Sequence, residues 1–195
     1  MSPPPVPRLF TFAGGSSGAW RVEQTRPVVG EPLPVAAAVS VRAAVGGEDA
    51  SGGDVSGGDG AWRLRGIVSN ERYVERAEKD ALLAKQEGLG RPACTRAALI
   101  PIRKNAAWWG LTQDERRQVF EAQSRHIAIG LRYLPAIARR LHHCRDLGPD
   151  EPFDFLTWFE YTPADAGAFE DLVGQLRDSP EWRFVEREVD LRLSR

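Results

Sequence analysis

Apolar residues recur along this chain in two rhythms, every second position and every third or fourth, and the places where the rhythm changes predict its elements. LFTFAGG, from Leu9, and GAWRVEQT, from Gly18, alternate as two strands joined by a Gly/Ser turn over Gly14 to Gly18. Pro27 to Pro34 reads as a loop, and VAAAVSVRAAV, from Val35, fits a third strand or a short helix. Ala61 to Val68 alternates again. SNERY (Ser69 to Tyr73) then leads into a helix through Ala84, with Leu82 and Leu83 as core contacts, and Gln86 to Pro92 forms a turn. Arg96 to Lys104 is a strand in which Pro101, lacking an N–H, implies an edge position or a bulge. Thr112 and Glu115 have capping-box spacing and open a helix predicted to reach about Leu134, where Pro135 stops it. From Ile137 the alternation returns, with Ile137, Arg139 and Leu141 on one face and Ala138, Arg140 and His142 on the other. FDFLTWFEY is the next strand. Thr162 and Pro163 start a helix with Phe169, Leu172, Val173 and Leu176 at i, i+3, i+4 and i+7. Val185, Val189, Leu191 and Leu193 are predicted to share one face of a final strand.

From Ala61 the order is strand, helix, strand, helix, strand, strand, helix, strand. That order predicts an α+β fold with a mostly antiparallel, barrel-like sheet, helices packed on its outside and a ferredoxin-like arrangement. The 195 residues suffice for one domain, 1–195. Gly46 to Gly60 holds seven glycines in fifteen residues and reads as a flexible insertion in a connection, without packing content. Met1 to Pro7 is proline-rich and expected to fray.

A net charge of −1 gives no reason to expect nucleic acid or an anionic membrane as partner. No apolar run approaches the ~20 residues that span a bilayer. The N-terminus lacks the basic-then-apolar pattern of a signal peptide. Cys94 and Cys144 form neither a metal spacing nor a disulfide framework, so a cytoplasmic, reduced protein is expected.

The densest candidate chemistry lies in Arg125 to Arg145. A helix followed at once by a returning strand can place a residue near the helix end opposite one early in the strand, and His126 and Arg139 are such a pair. Only His126, His142 and His143 could supply an imidazole ligand; the last two, adjacent on a strand, point to opposite faces. By residue type alone, His126 is more often a half-buried, hydrogen-bonded helical histidine, Glu181 a solvated carboxylate, and Arg139 a surface arginine beside Arg140.

SRHIAIGLRYLPAIARRLHH, DFLTWFEY and SPEWRFVERE, with WRLRGIVSNERY, QEGLGRP, RAALIPIRK and AAWWGL before them, resemble the chlorite dismutase family in its short, N-terminally truncated, dimeric lineage. The resemblance covers Ala61 to Arg195 closely and the first 45 residues loosely, and it rests on the joint order and spacing of these motifs. It implies haem b with iron bound by His126, and Glu181 as carboxylate partner to the imidazole, with Glu160 as rival. It implies Arg139 as the distal residue, Gln86 hydrogen-bonding that side chain, and Lys104, Asn70 and Tyr73 as propionate contacts, with Trp108 or Trp109 along the haem edge. The implied reaction converts chlorite to chloride and dioxygen through a ferryl species and hypochlorite, in a homodimer. A coprohaem decarboxylase of the same superfamily, which typically lacks the distal arginine, and a non-catalytic haem carrier or sensor are the alternatives.

Overall fold

The structure, a computed structural model, describes residues 8–44 and 60–195. Met1 to Pro7 and nearly all of the Gly-rich insertion lie outside the described residues.

Eight strands form a closed barrel: β1 (Leu9–Gly15), β2 (Trp20–Val29), β3 (Ala38–Ala43), β4 (Gly60–Val68), β5 (Arg96–Lys104), β6 (Ala138–His143), β7 (Phe155–Tyr161) and β8 (Val185–Ser194). Their order around the barrel is β1-β3-β2-β8-β5-β7-β6-β4. Every pairing is antiparallel. Counted within each half, β4-β1-β3-β2 and β8-β5-β7-β6 run fourth, first, third, second.

Inward-facing Phe12, Leu64, Leu99, Leu156, Trp158 and Leu191 fill the interior. A second apolar layer lies outside the sheet. There α5 (Ala166–Arg177) buries Phe169, Leu172, Val173 and Leu176, the predicted stripe, against Ala98, Ile100, Ile102 and Phe159. Strand β5 is therefore covered on both faces, which explains its near-continuous apolar run.

Several expectations are corrected. Pro27 to Val29 belong to β2 rather than to a loop, whereas the segment after Val35 takes the strand of its two readings, β3. Pro101 sits in an interior strand, because a closed barrel has no edge. It is tolerated where the β5–β8 ladder lapses between Leu99 and Ile102. Val185 does not share a face with Val189, Leu191 and Leu193: a register shift opposite Arg103 and Lys104 turns it to the outer layer.

The largest correction concerns the long helix. It is broken into α3 (Gln113–Arg117), a π-helical turn (Gln118–Gln123) and α4 (His126–Arg132), with Arg125 left-handed at φ 53° between them. The Thr112 capping box holds: Glu115 Oε2 accepts the Thr112 N–H at 2.7 Å. Two further helices are α1 (Arg76–Lys85) and α2 (Ala106–Gly110).

Candidate active site

The β4–β6 seam pairs only Ile67 with His143 and Val68 with His142. Beyond it, Asn70 Oδ1 accepts the Leu141 N–H at 2.8 Å and the chains part. A cleft of about 220 Å³ lies there between α1, α4 and β6. Its walls include Leu82, Leu83 and Gln86 from α1 and its end, Phe120, His126 and Ile127 around the α4 start, and Arg139 and Leu141 from β6. His126 and Arg139, predicted to face one another, thus line one cavity.

Behind the imidazole is a buried chain of polar groups. His126 Nδ1 lies 2.8 Å from Glu181 Oε2, and Lys104 Nζ donates to Glu181 Oε1 at 2.7 Å. The Glu181 N–H donates to Ser124 Oγ at 2.8 Å. Glu181 and Lys104 are each 4% exposed, so both charges are removed from water. Burial pushes the Glu181 carboxyl pKa up. The Lys104 and His126 charges, and hydrogen bonds from both, outweigh it and bring the carboxyl down to about 2. A carboxylate accepting from Nδ1–H fixes the tautomer and leaves Nε2 as a free donor atom. Among the described residues Nε2 has no hydrogen-bond partner. Phe120 stacks on the ring at 4.2 Å between centroids, fixing its plane.

Arg139 projects from β6. Its guanidinium has no hydrogen bond or ion pair among the described residues. Burial lowers its pKa and the Glu121 charge opposes that; a guanidinium stays protonated regardless. An unpaired, half-buried cation facing a cleft is costly to keep without a charge partner. Gly130 makes room for it: a Cβ there would lie 2.9 Å from Arg139 Nη1. Gln86 is at the site, but Nε2 donates to the Arg139 backbone carbonyl at 3.1 Å, not to the side chain. It therefore holds the strand rather than the guanidinium.

Other expected residues are placed differently. Lys104 is not on the cleft wall; it is the cation behind Glu181, 4.7 Å from the Trp108 ring centroid. Trp108 is 1% exposed and packs edge-on against Tyr73 and Phe184. Tyr73 has φ 61° and its ring lies between Trp108 and Phe120. Tyr73 Oη and Trp108 Nε1 are both buried without a hydrogen-bond partner. Trp109 turns away, donating to Asp154 at 3.2 Å.

The rival residues are elsewhere. His142 lies inside the barrel between Phe10 and Phe12, its pKa lowered by burial to about 4. His143 faces Asp146 and Trp109. Glu160 accepts from Trp158 Nε1 and the Gly90 N–H and hydrogen-bonds no histidine among the described residues. Arg140 does point away from Arg139, but into the barrel, 3.6 Å over the Phe10 ring.

A histidine backed by a carboxylate and a lysine, facing an unpaired arginine, narrows the chemistry without naming the protein. No family model matches the chain. Over 91 residues it is 36% identical to the chlorite dismutase of Ideonella dechloratans, a stretch covering 47% of this chain and 29% of that protein. The chain thus spans under a third of that relative's length. Among solved structures it is 56% identical to a dimeric chlorite dismutase from Nitrobacter winogradskyi, over 95% of this chain and 99% of that one, with a TM-score of 0.84. The chain belongs to the chlorite dismutase family. A chlorite dismutase from Candidatus Nitrospira defluvii in complex with imidazole shares the fold: TM-score 0.67 at 20% identity, over 96% of this chain and 91% of that one.

Within this family member, four site residues escape a reading of the pattern: Phe120, Glu121, Ser124 and Leu83. The first three face the site only because the helix breaks at Arg125, which no Gly or Pro announces. Leu83, expected in the core, is 68% exposed at the cleft rim.

Proposed function

We propose that this protein is a haem b-dependent chlorite dismutase, converting chlorite to chloride and dioxygen. The observation that carries the reading is the pairing of a Glu181-backed His126, with Nε2 free, and an unpartnered Arg139 in one cleft. The donor set fits haem. Among the described residues no three His, Cys, Asp or Glu side chains converge on a point, so a bare ion would find at most two such ligands; iron already held in a macrocycle needs only one. Leu82, Leu83, Phe120, Ile127 and Leu141 give an apolar lining. Tyr73 Oη and Trp108 Nε1 are buried donors with nothing to bond; neither lines the cleft, but Tyr73 packs on Phe120 of its wall, so a cofactor carboxylate entering a widened cleft could satisfy it. At about 220 Å³ the cleft is smaller than the roughly 300–1,000 Å³ of cofactor sites, so it has to widen to admit a macrocycle.

Bound there, haem iron would supply the oxygen-atom transfer chemistry. The chain supplies the rest. Glu181 holds the Nδ1 proton of His126 and, with Lys104 neutralising its own charge, raises the basicity of Nε2. Arg139 would attract chlorite into the cleft and hold its chlorine-containing part there until dioxygen and chloride are released. Its charge stabilises oxyanions in a low-dielectric site. Chlorine ends as chloride by taking the electrons the two oxygens give up, so no outside oxidant is needed.

The same reading takes each half-barrel as a ferredoxin-like unit, since both have the order fourth, first, third, second, and the chain as one domain, since the barrel closes only with both halves. It makes the protein a homodimer, supported by the dimeric Nitrobacter winogradskyi relative. It places the protein in the cytoplasm, consistent with the free, buried Cys94 and Cys144. Among the described residues no helix is long and apolar enough to cross a membrane. Arg139 favours this reading over a coprohaem decarboxylase. The test is Arg139→Ala loaded with haem b: dioxygen yield should fall and the haem should bleach faster, because hypochlorite escapes. Unchanged yield and haem lifetime would remove Arg139 from the mechanism.

A further inference from the structure

The end of α4 that carries His126 has no cap of its own. Its N-cap residue, Arg125, is left-handed at φ 53° and offers no side-chain acceptor. The first N–H groups of a helix need partners from outside it. Here one side chain from the preceding turn supplies them: Glu121 accepts the Ile127 N–H through Oε2 at 2.6 Å and the Ala128 N–H through Oε1 at 3.3 Å. Glu121 sits in the π-helical turn Gln118–Gln123, whose wide geometry brings successive side chains to the site. From that turn and the residue after it, Phe120 covers the His126 ring and Ser124 accepts the Glu181 N–H. Glu121 has no ion pair among the described residues, and its charge acts on Arg139 and on Arg117.

We propose that Glu121 is a positioning residue of this site: its carboxylate fixes the first turn of α4, and with it the His126 ring, in one orientation toward Glu181 and Arg139. The inference rests on His126 being the ligand of the proposed cofactor. The carboxylate is suited to the task for two reasons. It can accept two N–H groups at once, and its negative charge opposes the positive end of the helix. Left-handed Arg125 would otherwise be free to relax and swing the ring.

The test compares Glu121→Ala with Glu121→Gln, which keeps one carbonyl acceptor and the volume but not the charge. In the haem-loaded protein, Glu121→Ala should release haem about 10–100-fold faster and shift or broaden the iron–histidine stretching band, with Glu121→Gln in between. Unchanged haem release and an unchanged band in Glu121→Ala would overturn the proposal. Faster exchange of the Ile127 and Ala128 amides with no change in the band would reduce Glu121 to a plain cap and also overturn it. If Glu121→Ala does not fold, Glu121→Gln carries the same comparison. If the wild-type protein binds no haem through His126, the functional reading fails, and Glu121 is then decided on the apoprotein. Exchange of the His126 Nδ1 proton should be at least about tenfold faster in the variant, and equal exchange would overturn the role.

Discussion

Replacing Lys104 by methionine isolates the buried chain behind His126. Methionine keeps most of the stem and removes the charge, leaving Glu181 ionised in a 4% exposed site with His126 as its only strong partner. In the intact protein the Glu181 carboxyl is held from 4.5 down to about 2, with Lys104 the first-ranked favourable cause after the opposing effect of burial. At about 1.4 kcal/mol per unit, that depression corresponds to about 3 kcal/mol of folded-state stability at neutral pH, a net effect of Lys104 and His126 together against burial. Loss of one member of a buried pair typically costs about 3–5 kcal/mol, which agrees. The sign follows from the direction. A depressed carboxyl contributes fully above its unfolded pKa and loses the contribution as pH falls through the folded value, so the window runs from about pH 5 down to about pH 2. Urea unfolding of the apoproteins at pH 7 and at pH 3 measures it. The variant should be about 3 kcal/mol less stable at pH 7, equivalent to roughly 6–12 °C in Tm for a chain of this size. The difference between the two proteins should shrink by more than half at pH 3. No loss at pH 7, or a loss that is the same at both pH values, would refute the ion-pair account of this site.

Gly130→Ala should leave stability within about 1 kcal/mol, because alanine favours the helix and the group displaced is the mobile end of Arg139. It should nonetheless weaken binding of a small anion such as azide to the haem-loaded protein by about tenfold, read by optical titration. An unchanged affinity would show that Arg139 does not meet the anion from its present pose. His126→Ala should fold yet fail to retain haem b, measured by the Soret band after gel filtration. Retention would move the ligand to His142 or His143, both of which the fold keeps out of the cleft.

Much of this arrangement is legible in the chain because it is local. Alternation from Ile137 puts Arg139 and Leu141 on one face, and the structure sends that face to the cleft. The Phe169 stripe is all buried, because a helix over a sheet has only one way to hide it. What is not legible depends on non-local geometry. Closure into a barrel makes the interior position of Pro101 possible, and a register shift, invisible in composition, turns Val185 outward. The break at Arg125 has no sequence marker. It is held by Glu121 and Ser124, whose partners are backbone groups that any residue would offer. Glu181 and Lys104 lie 77 positions apart and become a pair only on folding. The family resemblance points to Glu181, but it puts Lys104 at a cofactor edge, whereas the structure puts it behind Glu181. Their chemistry explains the difference: a buried carboxylate beside an imidazole needs a cation, and Lys104 donates to it at 2.7 Å.

The most direct measurement is dissolved oxygen after chlorite is added to the wild-type protein reconstituted with haem b. The account predicts one dioxygen and one chloride per chlorite, sustained over many turnovers. Haem held by His126 at a five-coordinate ferric site, with no dioxygen released, would contradict it.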